Sequence, residues 1–203
     1  MASSGSTMRL FYGIYLDATL RDAVVELQKR LQRSTGSVKW VEADNLHFTL
    51  RFMGDIPNCQ VADLIQAGRA TAQVVHGFDL HLRGAGAFPT PTNPRTVWLG
   101  VTDGAAQMTD LHSSLTHVLH ETGLAEPENR RFSPHCTLGR ARQSRRDQAL
   151  AAALNAHAAH DIGPMRCEQF CLIHSTLHSS GPTYQVVETF ALRQYNTTDR
   201  GGN

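Results

Sequence analysis

The chain has 203 residues, of which 41% are hydrophobic and 18% charged, and a formal net charge of +1. That length buries a proper core, the composition is that of a globular protein, and the near-neutral balance excludes one that grips long nucleic acid by charge alone. No run approaches the roughly 18 apolar residues a membrane span needs, and Cys59, Cys136, Cys167 and Cys171 form neither a C-x-x-C pair nor a zinc-like Cys/His spacing, so reduced thiols in a cytoplasmic protein are expected.

Residues 1–8 read as a disordered lead-in or tag, the first seven lacking the apolar core of a signal peptide and Met8 being a candidate natural start. Arg9 to Leu16 is rich in strand formers and ends at Asp17, a good helix cap. From Ala18 to Arg33, Leu20, Val24, Leu27 and Leu31 recur at helical spacing. After the break at Ser34-Thr35-Gly36-Ser37, Val38 to Val41 is a short extended piece. A strand follows in which Leu46, Phe48, Leu50 and Phe52 alternate with His47, Thr49 and Arg51. A second helix is predicted over 60–75, with Val61, Leu64, Ile65 and Val74 inward. Phe78 to Phe88 is an alternating strand, and the three prolines between Pro89 and Pro94 predict a loop.

The order then repeats. Arg95 to Val101 is a strand, and Ala105 to Thr122 a helix with Met108, Leu111, Leu115, Val118 and Leu119 as its stripe and Gly123 as its stop. A second alternating stretch, Phe132-Ser133-Pro134-His135-Cys136-Thr137-Leu138-Gly139-Arg140, again sets a His and a Thr two apart. An Ala-rich helix over 144–160, a strand from Met165 to Leu177, a turn at Ser179-Ser180-Gly181-Pro182 and a closing strand from Tyr184 to Leu192 complete the pattern. Strand–helix–strand–helix–strand is therefore written twice. This predicts one 9–192 domain with lobe one over 9–90, lobe two over 95–178, a closing hairpin strand over 182–192, and a flexible tail over 193–203. Two such lobes about a pseudo-twofold axis would bring both His-x-Thr strands to one cleft.

On a strand, His47 and Thr49 share a face about 6.6 Å apart, and so do His135 and Thr137. Two imidazoles across a cleft offer a general base and a general acid near neutral pH. Two hydroxyls beside them suit the non-bridging oxygens of a phosphate. Phosphodiester hydrolysis can proceed with that set, and a metal is not required when the substrate carries a single negative charge. No H-E-x-x-H, acidic cluster or Walker-type loop suggests one, so neither metal nor cofactor is expected.

These residues resemble the 2H phosphoesterase superfamily, defined by two His-x-Thr/Ser motifs. Within it the chain is similar to the RNA 2′,3′-cyclic phosphodiesterases, historically called 2′-5′ RNA ligases. The similarity rests on Arg-Leu-Phe-Tyr-Gly-Ile-Tyr-Leu, Asn-Leu-His-Phe-Thr-Leu-Arg-Phe-Met-Gly, Asn-Pro-Arg-Thr-Val-Trp-Leu-Gly-Val, Ser-Pro-His-Cys-Thr-Leu-Gly-Arg and Leu-Ile-His-Ser-Thr-Leu with its following Gly-Pro-Thr-Tyr. Either His motif alone is unspecific, whereas the five together span nearly all of residues 9–192 in family order. The resemblance implies an α+β, duplicated two-lobe fold, with two antiparallel sheets about a pseudo-twofold central cleft and helices outside. It implies a monomeric enzyme hydrolysing the 2′,3′-cyclic phosphate end of an RNA or nucleotide to a 2′-phosphate. His47 and His135 would be the acid/base pair, while Thr49, Thr137 and Arg140 hold the phosphate. The pseudo-symmetry leaves the order of the two histidines open; we take His47 to protonate the departing 3′ oxygen and His135 to activate water. Strict alternation sends Arg140 to the face opposite His135, so its contact requires the strand to end or twist by Gly139. Position 174, often arginine in relatives, is His174, a further substrate-binding candidate.

Phe11 is a second such candidate, either as a platform for a terminal base or as plain core packing. Arg130, Arg131, Arg140, Arg142, Arg145 and Arg146 form either a phosphate-attracting collar or an ordinary solvated surface. His112, His117 and His120 read as a solvated helix side. The rival functions are RNA joining through a 2′-5′ linkage, disfavoured by ~55 M water unless the cleft excludes it, and an RNA-end binding module without turnover.

Overall fold

A computed structural model describes residues 6–128, 130–142, 146–179 and 181–194. The strands are β1 (Thr7–Tyr15), β2 (Val38–Trp40), β3 (His47–Pro57), β4 (Phe78–Thr90), β5 (Asn93–Val101), β6 (His135–Ala141), β7 (Asp161–Cys167), β8 (Gln169–Leu177) and β9 (Pro182–Ala191). The helices are α1 (Ala18–Gln32), α2 (Val61–Ala72), α3 (Ala105–Glu121) and α4 (Gln148–Ala156). Asp17 caps α1 by accepting from Leu20 N at 2.8 Å, and Asp147 caps α4 by accepting from Leu150 N at 2.9 Å. The α4 cap explains why that helix starts later than periodicity predicts. Residues 1–5 of the expected lead-in over 1–8, residues 195–203 of the expected tail and Arg145 lie outside the described residues, while Thr7 and Met8 of that lead-in already belong to β1, which begins two residues ahead of the expected Arg9.

Among the described residues, all nine strands join one antiparallel sheet in the order β7-β4-β5-β6-β3-β1-β8-β9, with β2 on β6. The two expected sheets are its two halves. They are joined where β3 meets β6 at one registered pair, Phe48 and Cys136. Both side chains are fully buried, and enclosing a phenylalanine ring stabilises the fold by about 1.5–3 kcal/mol. The core lies between the sheet and the helices. Leu10, Tyr12 and Ile14 face it from β1, Leu46, Phe48 and Leu50 from the segment ending in β3, and Leu20, Val24, Leu27 and Leu31 from α1. Tyr12 Oη donates to Leu64 O of α2 at 2.7 Å, which satisfies the buried phenol.

Several expectations are corrected by nonlocal pairing. The lobes do not divide at residues 90–95, because β4 pairs with β5 and β7, whereas β8 returns to β1. Pro89–Pro94 is a tight hairpin rather than a loop, with Pro89 opposite Pro94, since missing N–H groups are tolerated at a hairpin end. The strand expected over 165–177 breaks at Glu168 into β7 and β8, which lie near opposite ends of the strand order. A one-residue connection between them requires the sheet to curl strongly. Val74 is exposed because α2 ends before it. His112 is buried and stacks on Phe132 at 4.2 Å instead of facing solvent.

Candidate active site

The joining pair sets up the site. Phe48 and Cys136 point into the core, so the residues flanking them point the other way. Continuing the antiparallel register places His47 across from Thr137 and Thr49 across from His135. The two histidines are then diagonal neighbours, at roughly 7–8 Å in a regular ladder. Four chemically active side chains, from strands far apart in sequence, share one face around one point.

Each imidazole is aimed by its own backbone. His47 Nδ1 lies 2.7 Å from Asn45 O, and His135 Nδ1 lies 2.7 Å from Ser133 O. A carbonyl only accepts, so both Nδ1 atoms carry a proton, and in the neutral rings both Nε2 atoms are acceptors. In neutral His47, Nε2 accepts from the Thr49 hydroxyl, 3.0 Å away. A short 3₁₀ turn over Ala43–Asn45 presents the Asn45 carbonyl, and Asn45 Nδ2 donates to Pro182 O at 2.9 Å, tying this anchor to β9.

Phe11 packs against the His47 ring at 4.8 Å, and Tyr184 meets it edge-on at 5.3 Å, with Tyr15 at 6.3 Å. The result is a depressed His47 pKa, through burial first. The Asn45 hydrogen bond opposes the shift, while the charges of Arg140 and His135 add to it. Those two charges act on His47 because they sit in the same cleft. Burial also pushes the Tyr15 phenol up to about 12, with the neighbouring Cys171 and Tyr184 adding to the rise. A Cβ on Gly13 would lie 2.9 Å from Phe48 O, 3.2 Å from the Phe11 ring and 3.4 Å from His47 Cδ2, so the absent side chain makes room for the imidazole.

Arg140 does reach the cleft face, through a bulge rather than the end of the strand. Thr137 is registered with Trp98 and Gly139 with Val97, leaving Leu138 unpaired on that side and shifting the alternation by one. The freed Leu138 carbonyl accepts from Val41 N at 2.9 Å and from the buried Gln28 Nε2 at 2.8 Å. Gln28 is therefore a supporting residue that an amphipathic-helix reading passes over, its only signal being a polar side chain on an apolar stripe. Arg140 Nη1 lies 3.5 Å from Thr96 Oγ1.

A matching bulge lies in β3, where Gly13 is registered with Thr49 and Tyr12 with Arg51, skipping Leu50. It turns Arg51 inward and Phe52 outward, correcting the expectation that Phe52 joins the core. Arg51 Nη2 donates to Glu126 O at 2.5 Å, and Nη1 pairs with Glu128 Oε1 at 2.8 Å. His112 Nε2 lies 3.2 Å from Glu128 Oε2. This cluster holds the segment leading to Ser133 and His135.

Phe11 is brought to the site but is only 3% exposed, so it supports the imidazole instead of offering an open platform. His174 is not brought there. It is registered with Leu10, on the face opposite Phe11 and Ile173, because β8 keeps strict alternation against β1. Among the described residues no three His, Cys, Asp or Glu side chains group as metal ligands, and no helix is long and apolar enough to cross a membrane.

The family model of the 2′-5′ RNA ligase superfamily matches residues 16–178. An RNA 2′,3′-cyclic phosphodiesterase of Methanothermobacter thermautotrophicus is 36% identical over 185 residues, covering 91% of this chain and 99% of the relative. A crystal structure of the Thermus thermophilus protein TT0787 superposes with a TM-score of 0.78 at 29% identity, over 93% of this chain and 100% of the other. Escherichia coli LigT complexed with 3′-AMP superposes with a TM-score of 0.73 at 25% identity, over 93% and 100%.

Proposed function

Because this chain belongs to the 2′-5′ RNA ligase superfamily, we propose that it is a phosphodiesterase that hydrolyses a 2′,3′-cyclic phosphate at the end of an RNA or nucleotide, using two histidines and no metal. The observation that carries this reading is the pair of imidazoles whose Nδ1 protons are held by Asn45 O and Ser133 O, leaving both Nε2 atoms to one cleft. Relatives bearing the name RNA 2′,3′-cyclic phosphodiesterase, and the nucleotide complex of LigT, point to the same substrate class.

The cyclic phosphate sits between the two Nε2 atoms. His135 Nε2 takes a proton from a water molecule as its oxygen forms the new bond to phosphorus. The bond from phosphorus to O3′ breaks, and protonated His47 delivers the Nε2 proton to that oxygen, leaving a 3′ hydroxyl and a 2′-phosphate. The Thr49 and Thr137 hydroxyls and the Arg140 guanidinium hold the non-bridging oxygens, where charge builds in the transition state. Protonating His47 changes the role of Thr49. Nε2 becomes a donor, so the hydroxyl that bonded to it in the neutral state is released to donate to phosphate. The anionic substrate also offsets the burial that disfavours the His47 cation.

Incubation with a 2′,3′-cyclic nucleotide, with the product followed by phosphorus NMR, is expected to give the 2′-phosphate at an unchanged rate in EDTA. Loss of activity in chelator would overturn the metal-free reading. A longer, ligated product from cyclic-phosphate RNA would favour the joining reaction instead.

A further inference from the structure

The β3 bulge inverts the usual arrangement of a strand: it buries a charged residue, Arg51, and exposes an aromatic one, Phe52. Phe52 is 48% exposed and registered with Phe11, so it lies on the cleft face just beyond the aromatic nest of His47. The Arg9 guanidinium carbon stands 4.8 Å above its ring centroid. Arg9 Nη1 is also 3.7 Å from Asp55 Oδ1, a loose pair with both side chains open to solvent, which a phosphate can replace.

We propose that Arg9 and Phe52 form a subsite for the second nucleotide of an RNA end, stacking its base and holding the phosphate that joins it to the terminal nucleotide. The inference rests on the cyclic phosphodiesterase reading and extends it from the reacting phosphate to the strand behind it. An exposed ring beside a guanidinium is the combination that holds single-stranded RNA without reading its sequence. Phe52 lies three residues past Thr49, on the order of 10 Å along the strand. That is too far to serve the reacting phosphate and suits the neighbouring residue of the chain. Tyr184 links the two places. Its ring is 5.1 Å from Phe11, and both Arg9 and Arg140 act on its phenol, opposing the rise that burial causes. Position 52 is also the fifth after its histidine, as Arg140 is after His135, so each half of the cleft carries a guanidinium at this level by a different route.

The test compares kcat/KM for a dinucleotide ending in a 2′,3′-cyclic phosphate with that for the mononucleotide, in the unaltered protein and in Arg9→Ala, Arg9→Lys and Phe52→Leu. The dinucleotide-to-mononucleotide ratio is expected to fall about tenfold in Arg9→Ala and Phe52→Leu, through KM, and to recover partly in Arg9→Lys. An unchanged ratio, or equal losses on both substrates, would overturn the subsite. Equilibrium binding of the corresponding 2′-monophosphates tests it without turnover. If the unaltered protein hydrolyses neither substrate, the enzymatic reading fails while the binding ratio still decides the subsite.

Discussion

The two histidine strands follow one local plan and then part at the fifth residue. In each, a histidine is held through Nδ1 to a carbonyl two residues back. In each, a buried residue separates it from a threonine, and a bulge at the next leucine shifts the alternation. Beyond the bulge, β3 presents Phe52 and β6 presents Arg140. The neighbouring strands differ as well: Gly13 of β1 stands opposite Thr49, whereas bulky Trp98 of β5 stands opposite Thr137. His47 lies among Phe11, Tyr15 and Tyr184, while Phe88 packs edge-on against His135 at 5.2 Å. Duplication of a motif therefore yields equivalent anchoring of the two histidines and unequal surroundings. The surroundings lower the proton affinity of His47 and set what packs beside each imidazole.

The strongest way to break the equivalence is to delete each imidazole. His47→Ala and His135→Ala should each lower kcat by at least about 10²–10⁴-fold with unchanged circular dichroism. Full activity in either would end the claim of equal necessity. Next come the side chains proposed to hold the phosphate. Thr49→Val and Thr137→Val should each cost about 10²-fold in kcat, and Arg140→Ala should act mainly through KM. A Thr49 variant far more damaging than its Thr137 counterpart would mean that the bond to His47 Nε2 matters beyond the phosphate.

The pH dependence sharpens the inequality. If His47 donates the proton, kcat/KM falls as pH rises through its depressed pKa, on the acid side of the ordinary 6.5. Tyr184→Ser should admit water, raise that pKa and move the alkaline limb to higher pH. If His47 is instead the base, the same variant moves the acid limb upward, and a static profile would show that burial does not control the titration. The smallest effect tests packing. Gly13→Ala forces a methyl against Phe48 O and the Phe11 and His47 rings, and should cost about 1–3 kcal/mol. A melting temperature lowered by about 2–4 °C per kcal/mol checks it.

Arg140 and His174 show where reading the chain by itself stops. Both lie on strands whose type was legible, yet strict alternation removes Arg140 from the cleft and leaves His174 open as a candidate. The bulge at Leu138 reverses the first outcome, and the registered pair Leu10–His174 decides the second. Neither bulge nor register has a local signature here, because the carbonyl freed at Leu138 is satisfied by Gln28 from a distant helix. Likewise, Arg51 reads as an ordinary outward residue until its partners Glu126 and Glu128 are brought beside it.

Period-two and helical spacing, set by how side chains leave each kind of backbone, determined the order of most elements, the buried faces of His47–Leu50 and His135–Leu138, and the identity of both His-x-Thr pairs. Folding alone decided that the two halves join at Phe48 and Cys136, that Asn45 O and Ser133 O hold Nδ1, and that one imidazole is nested and the other more open. Those outcomes depend on hydrogen bonds between segments remote in the chain. A shift of one residue in such pairing turns a whole strand over, and nothing within the strand itself selects the register.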